Sequence, residues 1–298
     1  MRNHVEHLMC RLDFPGDARE ELLSAYDAIK QNSWSGERFS ALLAEYEKSM
    51  DCEYKRMLAD AVALAEPLSI HAYTASLLLF LCMSKTLLER YSEKELDESI
   101  YYRSMADLGY KLEECRLVYG INGSFVASWF AGFFNMTRFG LGRLQFEIRQ
   151  TTEDFVVGGS TVPAGSNAIN VHIPRTGTKL DHGDVLDAYD QAAAFFRDAF
   201  AEGQCVFFCK SWLLDPWNLT VLKPDSNLAR FCGDFKIVKS GVYEDYQELW
   251  RLFDCLYTGD AKKLPQDSSL RRAYADRVSR GEPIGWGLGM FLYSKISD

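Results

Sequence analysis

The sequence predicts an α+β protein in two parts: a helical N-terminal domain over residues 1–122, then a mixed β-sheet flanked by helices over residues 123–298. Three observations carry this expectation. Apolar residues in the first part recur at three- and four-residue steps. The period changes to two from Leu141 onward. Beyond that point a strand pattern, an amphipathic helical stretch and a second strand pattern follow one another, which is the order of a βαβ unit. A length of 298 residues gives each half enough chain to bury its own core.

In the first part, Leu22, Leu23, Tyr26 and Ile29 form one apolar stripe, and Phe39, Leu42, Leu43 and Tyr46 form another. The N-terminal segment with His4 and His7 is expected to fray. Pro67–Arg90 opens on proline and is apolar nearly all round, the pattern of a helix buried by its neighbours. Ser92-Glu93-Lys94-Glu95 has capping-box spacing for the next helix. Gly120 ends it before the turn pair Asn122-Gly123, which places the domain boundary there.

In the second part, Leu144, Phe146 and Ile148 alternate with Arg143, Gln145 and Glu147, predicting a strand with one apolar and one polar face. Ala168–Ile173 alternates again and stops at Pro174. Val185–Phe200 is amphipathic and long enough for a crossover helix. Cys205–Leu214 is almost continuously apolar and reads as a strand covered on both faces. A helix over Glu244–Tyr257 and a final apolar stretch, Trp286–Tyr293, complete the chain. The alternate glycines of Trp286-Gly-Leu-Gly-Met290 read as a bulge or a place of close packing, or as room for a ligand's close approach.

Composition narrows the function. A net charge of −9 opposes the field of a phosphate backbone, so nucleic acid is not expected as a partner. The apolar stretch Ala72–Met83 is interrupted and too short to span a bilayer, so no membrane partner is expected. Eight cysteines without a C-x-x-C pair, and charged residues throughout the first twenty positions, suggest reduced thiols and a cytoplasmic protein. Five histidines and dispersed cysteines give no spacing for a metal site. The dinucleotide fingerprint, the P-loop, H-E-x-x-H and G-x-S-x-G do not occur.

Four strings are more specific. Phe139-Gly-Leu-Gly-Arg-Leu-Gln-Phe-Glu147, Asn170-Val-His-Ile-Pro174, Ser211-Trp-Leu-Leu-Asp-Pro216 and Asp225-Ser-Asn-Leu-Ala-Arg-Phe231 together resemble a bacterial family of acyltransferase-domain proteins. Its members carry a helical N-acyltransferase N-terminal domain before a GNAT-like C-terminal domain, the order of halves read here. The resemblance implies acyl transfer from acyl-CoA, as co-substrate, to a small-molecule or peptide amine by direct attack. It also implies two parallel strands that splay apart around the thioester, here Ala168–Ile173 and Cys205–Leu213. The loop after the first strand, Arg175-Thr176-Gly177-Thr178-Lys179-Leu180, would then meet the CoA diphosphate with its backbone N–H groups. That loop departs from the usual pattern, because only one residue separates Arg175 from Gly177, and Lys179 is expected to add charge. The tyrosine that often protonates the leaving thiolate is replaced by Phe231 and Cys232.

Each candidate has two readings. His172 shares a strand face with Asn170 and Ala168, so it is either a general base beside the thioester or a buried histidine bonded to the neighbouring strand. Glu147 is either a base or half of a structural ion pair. Ile173 would offer an oxyanion-binding amide. Ser211 and Trp212 stand where the pantetheine arm would run, or Ser211 satisfies a backbone carbonyl and Trp212 is a core residue. Asn227 is a helix-cap candidate that could also touch the arm. The leading expectation is an N-acyltransferase with His172 or Glu147 as base. The runner-up is an inactive GNAT-like module that binds acyl-CoA or another small ligand, and the third is an interaction scaffold.

Overall fold

The computed structural model describes residues 1–200 and 204–294. The chain divides into two compact units, Met1–Gly140 and Leu141–Asp298.

The first unit is helical: α1 (Arg2–Arg11), α2 (Gly16–Gln31), α3 (Ser33–Lys48), α4 (Tyr54–Ala65), α5 (Ala72–Glu93), α6 (Glu98–Tyr119) and the single turn α7 (Ala131–Phe134). Its centre is α5, whose residues Leu77 to Ser84 are all buried. This helix is long and apolar enough by length and composition to cross a membrane, but its apolar side chains are packed inside the unit. The segment expected to fray is ordered as α1, because Val5, Leu8 and Met9 are buried. Pro67 does not open α5. It sits in a 3-10 turn over Glu66–Leu68, the chain reverses at Ser69 with φ +58°, and His71 caps α5 by accepting from the Tyr73 N–H. Ser92-Glu93 lies at the end of α5, and the cap of α6 is Asp97 instead, whose Oδ1 accepts from the Ser99 N–H at 2.7 Å. Gly120 does end α6, with φ +69°. The first unit runs on past Asn122-Gly123 because Phe130 and Phe134 pack on Phe80 of α5, with ring centroids 5.3 and 4.7 Å away.

After β1 (Arg138–Leu141), which straddles the division, the chain forms β2 (Leu144–Gln150), β3 (Phe155–Val157), β4 (Ser160–Val162), β5 (Asn167–His172), α8 (His182–Phe195) and β6 (Gln204–Ser211). It continues through α9 (Asn218–Val221), α10 (Asn227–Gly233), β7 (Lys236–Val242), α11 (Trp250–Phe253), α12 (Ser269–Ser279) and β8 (Gly285–Ser294). The mixed sheet has the order β1-β2-β5-β6-β8-β7, and β3-β4 form a separate hairpin. The predicted βαβ unit is β5-α8-β6, and its strands pair in parallel. Elsewhere β2 with β5, β6 with β8, and β7 with β8 are antiparallel.

One sheet face is sealed by aromatic packing. Tyr189 of α8 meets Phe207 and Phe291 at 5.4 and 5.0 Å between ring centroids, and those two rings stack on each other at 5.0 Å. Phe146, Ile169, Val171, Cys205 and Cys209 are also buried, as period-two strands require for one covered face. Strand β6 is therefore not covered on both sides. Its burial alternates, because the opposite side chains, Val206, Phe208 and Lys210, face a cleft or its apolar rim. The helix expected over Glu244–Tyr257 is reduced to a 3-10 turn and the single turn α11, which stops at Asp254 with φ +58°. The glycines of β8 do mark close packing. A Cβ at Gly287 would lie 2.0 Å from the Leu214 carbonyl oxygen, and one at Gly289 would lie 2.6 Å from Phe235 Cβ.

Candidate active site

The parallel pairing of β5 with β6 is confined to Ile169 opposite Phe207 and Asn170 opposite Phe208. Among the described residues the two strands carry no further pairing with each other toward their C-terminal ends, while each stays paired on its outer side, β5 to β2 and β6 to β8. Backbone groups that turn toward this gap are released from the ladder.

His172 stands on one arm of the gap. Glu147 of β2 lies directly opposite Asn170, and His172 is its diagonal neighbour on the same face. The register brings three polar side chains together. Glu147 Oε1 accepts from His172 Nε2 at 3.0 Å and from Asn170 Nδ2 at 3.1 Å. Oε2 of Glu147 accepts from Arg149 at 3.2 Å. The Glu147 side chain is 3% exposed and that of His172 is 20% exposed. A buried carboxylate needs donors, and here they are supplied by its own strand and by β5. A proton on Nε2 suits the carboxylate oxygen, and Asn170 Nδ2 lies 3.1 Å from the same ring nitrogen. His172 is bonded to the neighbouring strand, as one of its two readings expects, and it also borders open space. The polar face of β2 is buried rather than solvated, as Gln145 and Glu147 are 3% and 2% exposed.

That open space is a cleft of about 440 Å³ on the sheet face opposite α8. Asn170, His172, Phe208, Lys210, Leu288 and Met290 form its floor, and Arg149–Glu153, Phe155, Lys239 and Trp286 its walls. Val157 and Val162 of the β3-β4 hairpin pack with Met290 and close the apolar end.

The other predicted residues are dispersed, and among the described residues none of them lines this cleft. Arg175 follows β5 and binds Asp254 at 2.9 Å, and Asp254 also holds Arg271. Thr176 and Thr178 are joined through their hydroxyls at 2.8 Å around Gly177, whose φ of +76° suits glycine. The helix after this loop, α8, is capped by its own carboxylate: Asp181 accepts from the Gly183 N–H, and Asp184 adds a second negative charge in the first turn. His182 and Tyr189 of α8 hold Asp234 at 2.8 and 3.3 Å. Burial raises the carboxyl pKa of Asp234, opposed by its bond to His182. Ser211 accepts from the Leu213 N–H as a turn cap, and Trp212 packs edge-on against Tyr274 in a separate apolar cluster. Asn227 is the first residue of α10, and the cap is Ser226. Phe231 and Cys232 of that helix are buried, and burial pushes the Cys232 thiol up to about 11.

Sequence reasoning missed Arg149, Lys210, Lys239 and Trp286 as cleft residues. The one signal for Lys210 was a charge inside an apolar strand. Its Nζ lies 4.2 Å from the centroid of the Trp286 ring.

A mixed sheet whose central parallel strands part beyond a short paired stretch is the arrangement of a GNAT-like fold. The sequence matches the GNAT-like C-terminal domain family over residues 139–291 and the N-acyltransferase N-terminal domain family over residues 3–136. The chain therefore belongs to the family that joins these two domains. No curated protein matches the sequence. Among solved structures it is similar to an acyltransferase in complex with decanoyl-CoA and teicoplanin (21% identity, TM-score 0.74, 97% of this chain and 87% of that chain). It is likewise similar to an acyltransferase mutant in complex with octanoyl-CoA (21%, 0.75, 97% and 87%) and to an acyltransferase in complex with decanoyl-CoA (22%, 0.71, 96% and 86%).

Proposed function

We propose that the protein transfers an acyl group from acyl-CoA to an amine, with the thioester held in the gap between β5 and β6. The observation that carries this reading is the coincidence of that gap with the His172–Glu147 pair. The similar solved structures, with acyl-CoA bound, support the choice of co-substrate.

The amine nitrogen attacks the thioester carbonyl carbon, and the C–S bond breaks as the amide C–N bond forms. His172 takes the proton that the nitrogen must lose, through Nδ1, and Glu147 on Nε2 holds the ring in that tautomer and stabilises the imidazolium. The thiolate leaves as CoA and takes its proton from the imidazolium or from solvent. Backbone N–H groups near His172 and Ile173, beyond the last β5-β6 pair, hold the developing oxyanion. Glu147 is a positioning residue in this scheme, not the base.

The diphosphate is received by Arg175, Thr176, Gly177, Thr178 and Lys179. Asp254 already neutralises much of the Arg175 charge, and Asp181 occupies the amide at the start of α8, so this loop is a weaker anion site than a glycine-rich cradle. Ser211 and Trp212 shape the end of β6 from beneath, and Asn227 supports the turn into α10. The acceptor is a small-molecule or peptide amine.

Calorimetric titration with CoA and octanoyl-CoA tests the reading. A Trp at Gly177 has open space around its Cβ, and the positive φ costs it about 1 kcal/mol, so the variant folds but obstructs the loop. Saturable binding that the variant loses is the expected result. Absence of binding by either ligand in the wild type would remove the proposal.

A further inference from the structure

The protein is acidic as a whole, with a net charge of −9, yet the cleft reverses that sign. Among the described residues, Arg149, Lys210 and Lys239 line it against one lining carboxylate, Glu153. Two of the three cations are already engaged by carboxylates. Arg149 binds Glu147 at 3.2 Å, and Lys239 binds Glu153 at 2.7 Å. Lys210 has no carboxylate partner among the described residues, and its ammonium lies over the Trp286 ring. A ring face holds a lysine in place without neutralising it, so its charge remains available to a ligand.

The position of Lys210 relative to His172 is fixed by the sheet. Both residues lie two positions beyond the last parallel pair, Asn170 opposite Phe208, one on each arm of the splay. Adjacent strands are about 4.8 Å apart and these two diverge, while the imidazole leans to Glu147 on β2 and the ammonium to Trp286 on β8, so the two groups stand on opposite sides of the gap and a ligand that meets both must reach across it. Phe155, Phe208, Leu288 and Met290 supply an apolar surface in the same cleft.

We propose that Lys210 is a subsite for an anionic group, and that the acceptor is an amine that also bears a carboxylate or similar acid able to reach across the gap, with an apolar side group. This rests on the acyl-transfer reading above. An amino acid or peptide-like acid of this kind presents its amine to His172 while its acid meets Lys210. A simple cationic amine is disfavoured by the local positive field. A phosphate of the co-substrate has the same anionic chemistry, and the experiment separates the two sources.

The probes are N-octanoyl-phenylalanine and its uncharged carboxamide, which mimic the acylated product, together with CoA. Each is titrated calorimetrically into wild type and into Lys210→Met, which retains the apolar stem. In the wild type the carboxylate probe binds roughly tenfold or more tightly than the carboxamide, as expected for a charge-assisted contact. In Lys210→Met that difference falls to within about twofold, while CoA binds as before, which assigns the anion to the acceptor. Equal binding of the two probes to the wild type, or binding of neither probe while CoA binds, overturns the subsite. Loss of CoA affinity in Lys210→Met with the probe difference intact assigns Lys210 to the co-substrate and overturns the acceptor proposal. Failure of CoA to bind the wild type overturns the acyl-transfer reading itself.

Discussion

Replacing Glu147 by Gln separates the geometry of the His172 pair from its charge. The partners of Glu147 include His172 and Asn170 at Oε1 and Arg149 at Oε2, and its side chain is almost fully buried. A glutamine that keeps its oxygen toward His172 and Asn170 preserves both of those bonds and turns its NH₂ toward Arg149. The Arg149 side chain is 59% exposed and can swing into water, so loss of that pair costs about 1 kcal/mol or less. The imidazolium formed during proton transfer loses its anionic partner, however. A hydrogen bond to a charged group exceeds a neutral one by about 1–2 kcal/mol, which is roughly 5- to 30-fold in kcat. The assay is CoA thiol release from octanoyl-CoA at saturating acceptor, with KM measured alongside. The expected result is a fall in kcat with little change in KM for octanoyl-CoA. Turnover of Glu147→Gln at the wild-type rate, with His172→Ala inactive, would show that His172 acts without Glu147 and would refute the reasoning.

Three further outcomes follow from the packing. His4 is held neutral, its pKa lowered to about 4 chiefly by burial and also by Lys85, with its Nε2 bonded to Ser84 Oγ at 2.9 Å. The unfolded chain therefore binds the extra proton first, and stability declines as pH falls from about 6.5 toward 4, by about 1.5 kcal/mol once the ring's partial exposure is allowed for. Denaturant unfolding of His4→Gln across that range should show a flatter acid limb. Asp215→Ala removes the acceptor of Arg277 at 2.7 Å and of the Gly285 and Trp217 N–H groups, and should cost about 3–5 kcal/mol in chemical denaturation because a buried cation is stranded. Gly287→Ala would drive a Cβ into the Leu214 carbonyl and should lose several kcal/mol or fail to fold, as judged by soluble yield and thermal melting.

How much of this was legible in the sequence can be argued residue by residue. Strong periodicity survived into structure: the α2 and α3 stripes, the β2 alternation and the β5-α8-β6 unit are where the pattern places them. Elements whose residues face solvent or a cleft left weaker traces. Strand β7 is half exposed and carries Lys236 and Lys239, and the β3-β4 hairpin turns on Gly158-Gly159 with only Val157 and Val162 buried, so neither shows clear alternation. Helix α12 leaves a weak trace because its buried face is only Tyr274, Ala275, Arg277 and Val278, with an arginine among them, and the Glu244–Tyr257 stretch does not stay helical because Asp254 ends its last turn in a left-handed conformation. At the site, His172 and Glu147 were visible as polar residues on strand faces. Their contact was not, because it depends on the register of β2 against β5, 23 to 25 residues apart in sequence. Lys210 and Trp286 meet only because β6 and β8 pair, a long-range fact that no local pattern encodes.

The measurement closest to the central claim is a crystal structure of the protein with octanoyl-CoA. The account predicts the thioester carbonyl in the gap beyond Asn170 and Phe208, with its oxygen on backbone N–H groups of β5 and its carbon facing the His172 side of the cleft. An acyl-CoA bound elsewhere, with the β5-β6 gap empty, would contradict it.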